Sequence, residues 1–267
     1  MTQTQQPFAY AKVLAARDSK RPMGGFYINR MIENFVELHG DRRYGDDAAI
    51  IAGVGILGTQ PVTVIAMERG TTIEERIKRN FGCPTPEGYR KALRLMKQAE
   101  KFSRPVICFI GSSGAYCGVS AEERGQGEAI AENLFEMMGL KVPIISVVVG
   151  EGGSGGALAL SVSDTVVMLE NSVYSVISPE GCASILWKDS AKASDAAQAL
   201  KLTADDLYQF EVIEKIIQEK DRTNEEICDS LKEFLISEIK AKQSLSIDEL
   251  LNQRYEKFRK IGKKSDS

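Results

Sequence analysis

The chain has 267 residues, 43% of them hydrophobic and 27% charged, and a formal net charge of −3. This composition suits a soluble globular α/β protein, and the small negative charge gives no basis for a nucleic-acid partner. A single histidine, His39, leaves almost nothing for a histidine-based triad or a multi-histidine metal site, and Cys83, Cys108, Cys117, Cys182 and Cys228 contain no C-x-x-C pair.

An amphipathic helix is expected over roughly 8–18, ended by Arg21-Pro22-Met23-Gly24-Gly25. Lys12, Arg17, Lys20 and Arg21 at this end, and Lys257, Arg259, Lys260, Lys263 and Lys264 at the other, read as solvated faces or a loose tail. The first 22 residues lack the apolar core of a signal peptide, and no run reaches the ~18 apolar residues of a membrane span. A reducing cytoplasm is therefore expected, with Cys108 and Cys182 as small buried hydrophobes. Ile28, Met31, Ile32, Phe35 and Leu38 have the spacing of one helical face and predict a second helix over about 27–39. After the polar turn Asp41–Asp47, strands are expected at Ala49–Leu57 and Val62–Met67, joined by the hairpin turn Gly58-Thr59-Gln60-Pro61. Tyr89, Ala92, Leu93, Met96 and Ala99 mark a helix between Pro86 and Phe102, followed by the buried strand Val106–Ile110.

Gly111–Gly118 then reads as a loop, with a helix running on to about Met138. A second buried strand, Pro143–Val149, leads into the glycine turn Gly150–Gly156 and a short helix Ala157–Val162. Strands Thr165–Leu169 and Val173–Ile177 follow, then a helix with Ser178 as N-cap and Pro179 at its first position. Helices are expected over about 190–209, 223–240 and 246–260, interrupted by the strand-like Val212–Gln218. Strands alternating with helices imply a mostly parallel sheet whose strand ends carry functional loops.

Several motif matches fail on context. Gly53-Val54-Gly55-Ile56-Leu57-Gly58 has the spacing of a dinucleotide fingerprint, but a strand follows it where a helix is required. Gly150-Glu151-Gly152-Gly153-Ser154-Gly155 fits the same pattern, with Glu170 at the distance of a ribose-binding acid, yet the helix after it closes within about two turns. Gly152–Gly156 also matches G-x-S-x-G, but no histidine follows Ser154 to complete a hydrolase triad. A Ser–Lys protease using Ser112, Ser113 or Ser154 needs no histidine and stays open. Lys97 in Leu95-Met96-Lys97-Gln98 lies in a helix, unlike a biotinylated lysine on a hairpin tip. What remains is a set of backbone-rich loops at Gly111–Ala115, Gly150–Gly156 and Ser178–Gly181. They are either tight turns without a ligand or main-chain N–H donors aimed at a developing oxyanion.

Arg79–Met96, RNFGCPTPEGYRKALRLM, resembles the signature of the carboxyltransferase alpha subunit of bacterial multi-subunit acetyl-CoA carboxylase. Gly114-Ala115-Tyr116, Ala121–Gln126, Gly150–Leu158 (GEGGSGGAL) and Ser175–Lys188 (SVISPEGCASILWK) follow in the family's order and spacing, over about Phe26 to Gln218. The resemblance implies a crotonase-like (ClpP/crotonase) ββα superhelix forming one domain over 1–267. Its helical N-terminal segment would extend to about residue 40, and its C-terminal helices would span about 219–260. It further implies an α2β2 assembly with a homologous beta subunit that binds acetyl-CoA and zinc, while this chain holds the carboxybiotin of a separate biotin carboxyl carrier protein. Biotin carboxylase would complete the ATP-dependent enzyme, whose malonyl-CoA feeds fatty acid synthesis.

In that chemistry the carboxyl group leaves biotin as CO2, the ureido anion takes a proton from the acetyl methyl, and the enolate attacks CO2. Matching motifs puts the biotin-side oxyanion hole at the N–H groups of Gly155 and Gly156. Gly152, Gly153, Gly114, Ala115 and Tyr116 would shape the substrate site, and Arg79, Arg90, Lys91 and Arg94 would either guide the carrier or CoA phosphates or form a solvated or inter-subunit salt-bridging face. Family members commonly read Asp-Thr-Pro-Gly-Ala-Tyr-Pro-Gly where this chain has Gly111-Ser112-Ser113-Gly114-Ala115-Tyr116-Cys117-Gly118, so a less rigid loop is expected. Alternatives are a related acyl-CoA carboxyltransferase or decarboxylase subunit, and a non-catalytic scaffold subunit.

Overall fold

Alternating apolar residues in the strands generate two buried faces, and the fold is built on them. In a computed structural model describing residues 8–263, eight strands form one sheet. They are β1 (Ile32–Glu37), β2 (Ile50–Leu57), β3 (Gln60–Met67), β4 (Val106–Ser112), β5 (Ile144–Gly153), β6 (Thr165–Leu169), β7 (Val173–Ser175) and β8 (Lys215–Ile217). The order is β1-β2-β3-β4-β5-β6-β8, with β7 paired to β5; β1, β2 and β3 are antiparallel and the rest run parallel. On one face Ile65, Met67, Cys108, Ile110, Ile144 and Val148 meet the helices. On the other, Val64, Ala66, Ile107, Phe109, Val147 and Val149 do. This is period-2 burial on both sides of a central sheet.

The helices are α1 (Phe8–Arg17), α2 (Gly24–Met31), α3 (Ile73–Lys78), α4 (Pro86–Lys101), α5 (Val119–Glu123), α6 (Gln126–Gly139), α7 (Ser154–Leu158), α8 (Pro179–Trp187), α9 (Ala193–Leu200), α10 (Ala204–Gln209), α11 (Asn224–Gln243) and α12 (Ile247–Lys260). Residues of α4, α6 and α7 pack in the first layer, those of α2 and α11 in the second. Ser178 caps α8 as expected, its Oγ accepting the Gly181 N–H at 3.1 Å with Pro179 first in the helix.

Four expectations are corrected. The helix over 27–39 stops at Met31, because Ile32–Glu37 add to the free edge of β2 instead. Asn34, at φ 51, is the bulge that shifts the register there. The single helix reaching Met138 is two, divided where Gly125 takes φ 82. The helix over 190–209 is likewise divided at Lys201, with Thr203 capping α10. The terminal cations are only in part a solvated face: Lys12 reaches Asn171 and Glu170, Arg21 reaches Val149 O and Glu219, and Lys257 reaches Glu214, whereas Lys20, Arg259, Lys260 and Lys263 are exposed. Lys264 lies outside the described residues.

One buried cation ties the C-terminal helix to the sheet. Arg254 of α12 is 1% exposed and directs Nε and Nη2 at Asp164, both at 2.8 Å, and its other N–H groups at the carbonyls of Met137, Leu140 and Val142. Asp164 also accepts the Ile144 N–H at 2.7 Å, at the start of β5. Every member of this buried set has a partner, so removing the guanidinium strands a carboxylate and three carbonyls. Arg254→Ala is expected to lose about 3–5 kcal/mol of stability. Urea unfolding checks this; a change below about 1 kcal/mol would contradict it.

Candidate functional site

The glycine segment is not one turn. Gly150–Gly153 finish β5, and α7 begins at Ser154, three residues earlier than its apolar sequence suggests. The pairing of β4 with β5 shifts between Ile110 and Ser112, so β5 carries extra residues just before its end. Ile145–Val148 of β5 pair with β6, whereas Glu151–Gly153 pair with β7, and the strand thereby changes partners as it enters the site. Ser154 then reverses the chain at φ 55, a strained conformation for a residue with a side chain.

Two glycines let this turn press against the loop after β4. A Cβ on Gly153 would overlap Ser113 O and lie 3.0 Å from Gly114 N. A Cβ on Gly156 would overlap Ala115 N and lie 2.7 Å from Gly114 C and 2.9 Å from Tyr89 Oη. Gly152 is nearly as confined, by Tyr174 and Val148 at 3.1 Å, but at Gly155 the nearest atom, of Ile130, is 3.7 Å away. The structure therefore brings Gly152, Gly153, Gly155, Gly156, Gly114 and Ala115 together. The first-turn N–H groups of α7, Gly155 and Gly156 among them, have no acceptor within the helix.

Ser112 forms a side-chain turn within the loop. Its Oγ donates to Gly114 O at 2.7 Å and lies 3.1 Å from Gly114 N, closing the loop on itself. That hydroxyl is thus occupied, and Ser113 Oγ lies 3.5 Å from Cys83 Sγ. Tyr116 N–H donates to Pro84 O, and the Gln126 amide donates to both Pro84 O and Tyr116 O, so the loop is fastened to the start of α4.

The cations of α4 are committed to the acidic loop Asp41–Asp47. Arg90 pairs with Asp41 and Glu87, Lys91 donates to Asp46 and Asp47 O, and Arg94 donates to Gly40 O and His39 O. Lys91 is fully buried, and Arg90, 10% exposed at its side chain, serves the same internal network. Arg79 donates to Ala48 O at 2.5 Å. The sole histidine, His39, lies 2.9 Å from Asp46 on this loop, and no serine hydroxyl of the turn bonds to it among the described residues.

Burial alone would raise the carboxyls of Asp41 and Asp46. Backbone N–H groups with Arg90 on Asp41, and Lys91 with Gly40 N–H on Asp46, outweigh it, so each falls from 3.8 to about 2. A folded pKa below the ordinary one means stability present above about pH 4 and lost as pH falls through about 2. Asp47 differs: burial raises its carboxyl despite the Ala49 and Thr85 donors.

Arg17 of α1 grips the other side of the turn. It bonds Glu151 at 2.6 Å and Glu180, at the start of α8, at 2.8 Å. Burial would lower the Arg17 pKa, but these two carboxylates raise it overall, and the Arg17 hydrogen bond holds Glu180 below its ordinary value. Beside Ser154 and Gly155 opens a cavity of about 340 Å³, walled by Leu158, Tyr174, Val176, Leu207 and Phe258. Its wall is mainly apolar, with Ser154 and Gly155 at the start of α7 on one side. Among the described residues, no group of three His, Cys, Asp or Glu is placed to hold a metal ion.

Residues 4–262 match the family described as acetyl co-enzyme A carboxylase carboxyltransferase-like. The chain belongs to that family. The acetyl-coenzyme A carboxylase carboxyl transferase subunit alpha of Ruminiclostridium cellulolyticum is 58% identical over 254 residues, covering 95% of this chain and 98% of that one. A protein of Clostridium tetani named for subunits beta/alpha is also 58% identical, over 95% of this chain and 45% of its own length. Among solved structures, transcarboxylase 12S superposes with a TM-score of 0.71 at 16% identity, over 90% of this chain and 45% of that chain. A Pseudomonas malonate decarboxylase hetero-tetramer gives 0.64 at 16% identity, over 79% and 86%. The fold is crotonase-like, as the resemblance implied.

Tyr89 is the residue that sequence reasoning passed over. It was legible only as part of the apolar face of α4, yet its Oη lies 3.2 Å from Gly156 O. Two measurements test the site's construction. Gly156→Ala should cost about 1–3 kcal/mol, while Gly155→Ala should stay within about 1 kcal/mol; equal effects in chemical denaturation would contradict the packing described. Lowering the pH from about 5 to about 2 should destabilise the wild type more steeply than Asp46→Asn, and parallel melting curves would contradict the ion pairing.

Proposed function

We propose that this chain supplies the carboxybiotin half of an acetyl-CoA carboxylase carboxyltransferase, moving the carboxyl group from biotin on a carrier protein to acetyl-CoA to give malonyl-CoA. The observation that supports it best is the first turn of α7, whose N–H groups have no acceptor within the helix, starting beside an apolar cavity and backed by Gly114-Ala115. The N–H groups of Gly155 and Gly156 would receive the ureido oxygen as negative charge develops there. The apolar wall of Leu158, Tyr174 and Val176 suits a bicyclic ring, and a partner subunit closing over it would keep water from the reacting carboxyl. Losing one donor of this kind costs ~2.7–4 kcal/mol of transition-state stabilisation.

No ionisable side chain needs to act here. The ureido nitrogen, freed as its bond to the carboxyl carbon breaks, takes up the proton of the acetyl methyl. This chain's part is to stabilise charge and hold one reactant, and proximity to acetyl-CoA on a partner subunit supplies the rest. The beta/alpha protein of C. tetani supports such a partner. A homologous beta subunit carrying the zinc, a biotin carboxyl carrier protein, biotin carboxylase and a cytoplasmic setting complete the proposal, with residues 1–267 acting as one domain. Arg79 and Arg94 would act through the internal network and not by touching CoA.

The test is reconstitution: this chain, a beta subunit, carboxylated carrier and acetyl-CoA should yield malonyl-CoA, with no product when either subunit is omitted. Failure of a correctly assembled complex to carboxylate acetyl-CoA, with turnover of another acyl-CoA or of malonate instead, would move the assignment to a related carboxyltransferase or decarboxylase. No turnover of any acyl-CoA would leave a scaffold role.

A further inference from the structure

We propose that Tyr89 is a positioning residue for the backbone donors of α7, acting through the carbonyl of Gly156. The proposal rests on Gly155 and Gly156 being the carboxybiotin-side donors. Its own basis is separate and geometric.

Helix α7 has only five residues, and its hydrogen bonding tightens at once. Ala159 N–H donates to Gly155 O at 2.9 Å, but Leu160 N–H, which a regular helix would direct at Gly156 O, donates to Ala157 O at 3.1 Å. Gly156 O is therefore deprived of its ordinary helical partner in a buried position. The phenol of Tyr89 takes that place, with its Oη 3.2 Å from Gly156 O and no exposure of its own. It is the only side-chain donor the structure directs at the peptide groups of Gly155 and Gly156 among the described residues.

The contact also fixes distance, since a Cβ on Gly156 would stand 2.9 Å from the same oxygen. Tyr89 thus touches the turn from beneath, while Gly114 and Ala115 bound it from the side. A 1 Å displacement of the donors here is the kind that costs ~10²-fold in rate.

Tyr89 is itself held firmly. Thr85, the residue before α4, donates through both N and Oγ1 to Asp47, and Lys91 binds Asp47 O from the next turn of the helix. The acidic loop and the α4 cations, which have no direct contact with the turn, fix the helix that carries the phenol. Burial raises the Tyr89 pKa well above 10, so the group remains a neutral donor throughout the working range.

The test uses the reconstituted complex of this chain with its beta subunit and compares Tyr89→Phe with Tyr27→Phe. Each variant keeps its ring and loses one buried hydroxyl, and Tyr27 packs on Phe109 in the opposite layer. In Tyr89→Phe, kcat for malonyl-CoA formation should fall about 10-fold or more, with KM for acetyl-CoA and for carboxylated carrier within about twofold. Amide exchange of residues 154–159 should quicken without change in β4. Tyr27→Phe should leave kcat within about twofold. A Tyr89→Phe kcat within twofold of wild type, an equal loss in Tyr27→Phe, or unchanged exchange at 154–159 would overturn the proposal. A wild-type complex that forms no malonyl-CoA would instead overturn the functional reading, and the exchange experiment would still decide whether Tyr89 orders the turn.

Discussion

Backbone meeting backbone at the ends of β4 and β5 is the constraint on which the site depends. Gly153 and Gly156 approach Ser113–Ala115 so closely that neither tolerates a Cβ without displacement of main-chain atoms. Side chains cannot make such a contact, and any that intervened would separate the two loops. The approach places the open N–H groups of α7 against a second strip of main chain and leaves one side facing the apolar cavity. An oxyanion site of the kind proposed would need no titratable group, in keeping with a chain whose one histidine pairs with Asp46.

The surrounding structure serves to hold that contact. From one side, Arg17 joins Glu151 to Glu180 and so ties β5, α8 and α1 together. From beneath, Asp47 and the cations of α4 place Tyr89 under Gly156. At the start of β5, Arg254 and Asp164 fix where the strand begins, and Ser112 closes the loop after β4. These are polar devices at the ends of an apolar sheet, and each is internally satisfied, as buried polar groups must be to stabilise a fold.

The sheet was legible in the sequence because its strands bury alternate residues on both faces; β2 to β6 fall close to their expected positions. Two kinds of feature were not. Periodicity could not distinguish helix from strand at Ile32–Glu37, where the free edge of β2 decides the outcome. Nor could it show breaks made by one residue of positive φ, such as Gly125 or Lys201. The glycine turn was legible in composition but ambiguous in chemistry, matching three unrelated motifs until RNFG…PEGYRKALRLM and SPEGCASILWK gave it context. Arg90, Lys91 and Arg94 could be ligand contacts or a salt-bridging face, because sequence reveals charge without revealing partners; the partners shown here lie some 45 to 55 residues away on the Asp41–Asp47 side. Tyr89 was invisible for the same reason, an aromatic on an apolar helix face whose hydroxyl has one distant use.

The most direct measurement is a structure of this chain assembled with its beta subunit and a bound biotin derivative. The ureido oxygen is expected about 2.7–3.1 Å from the amide nitrogens of Gly155 and Gly156, with the bicyclic ring against Leu158 and Tyr174. A ureido oxygen held by the partner subunit alone, or α7 shifted away from Gly114-Ala115 with biotin bound, would contradict it.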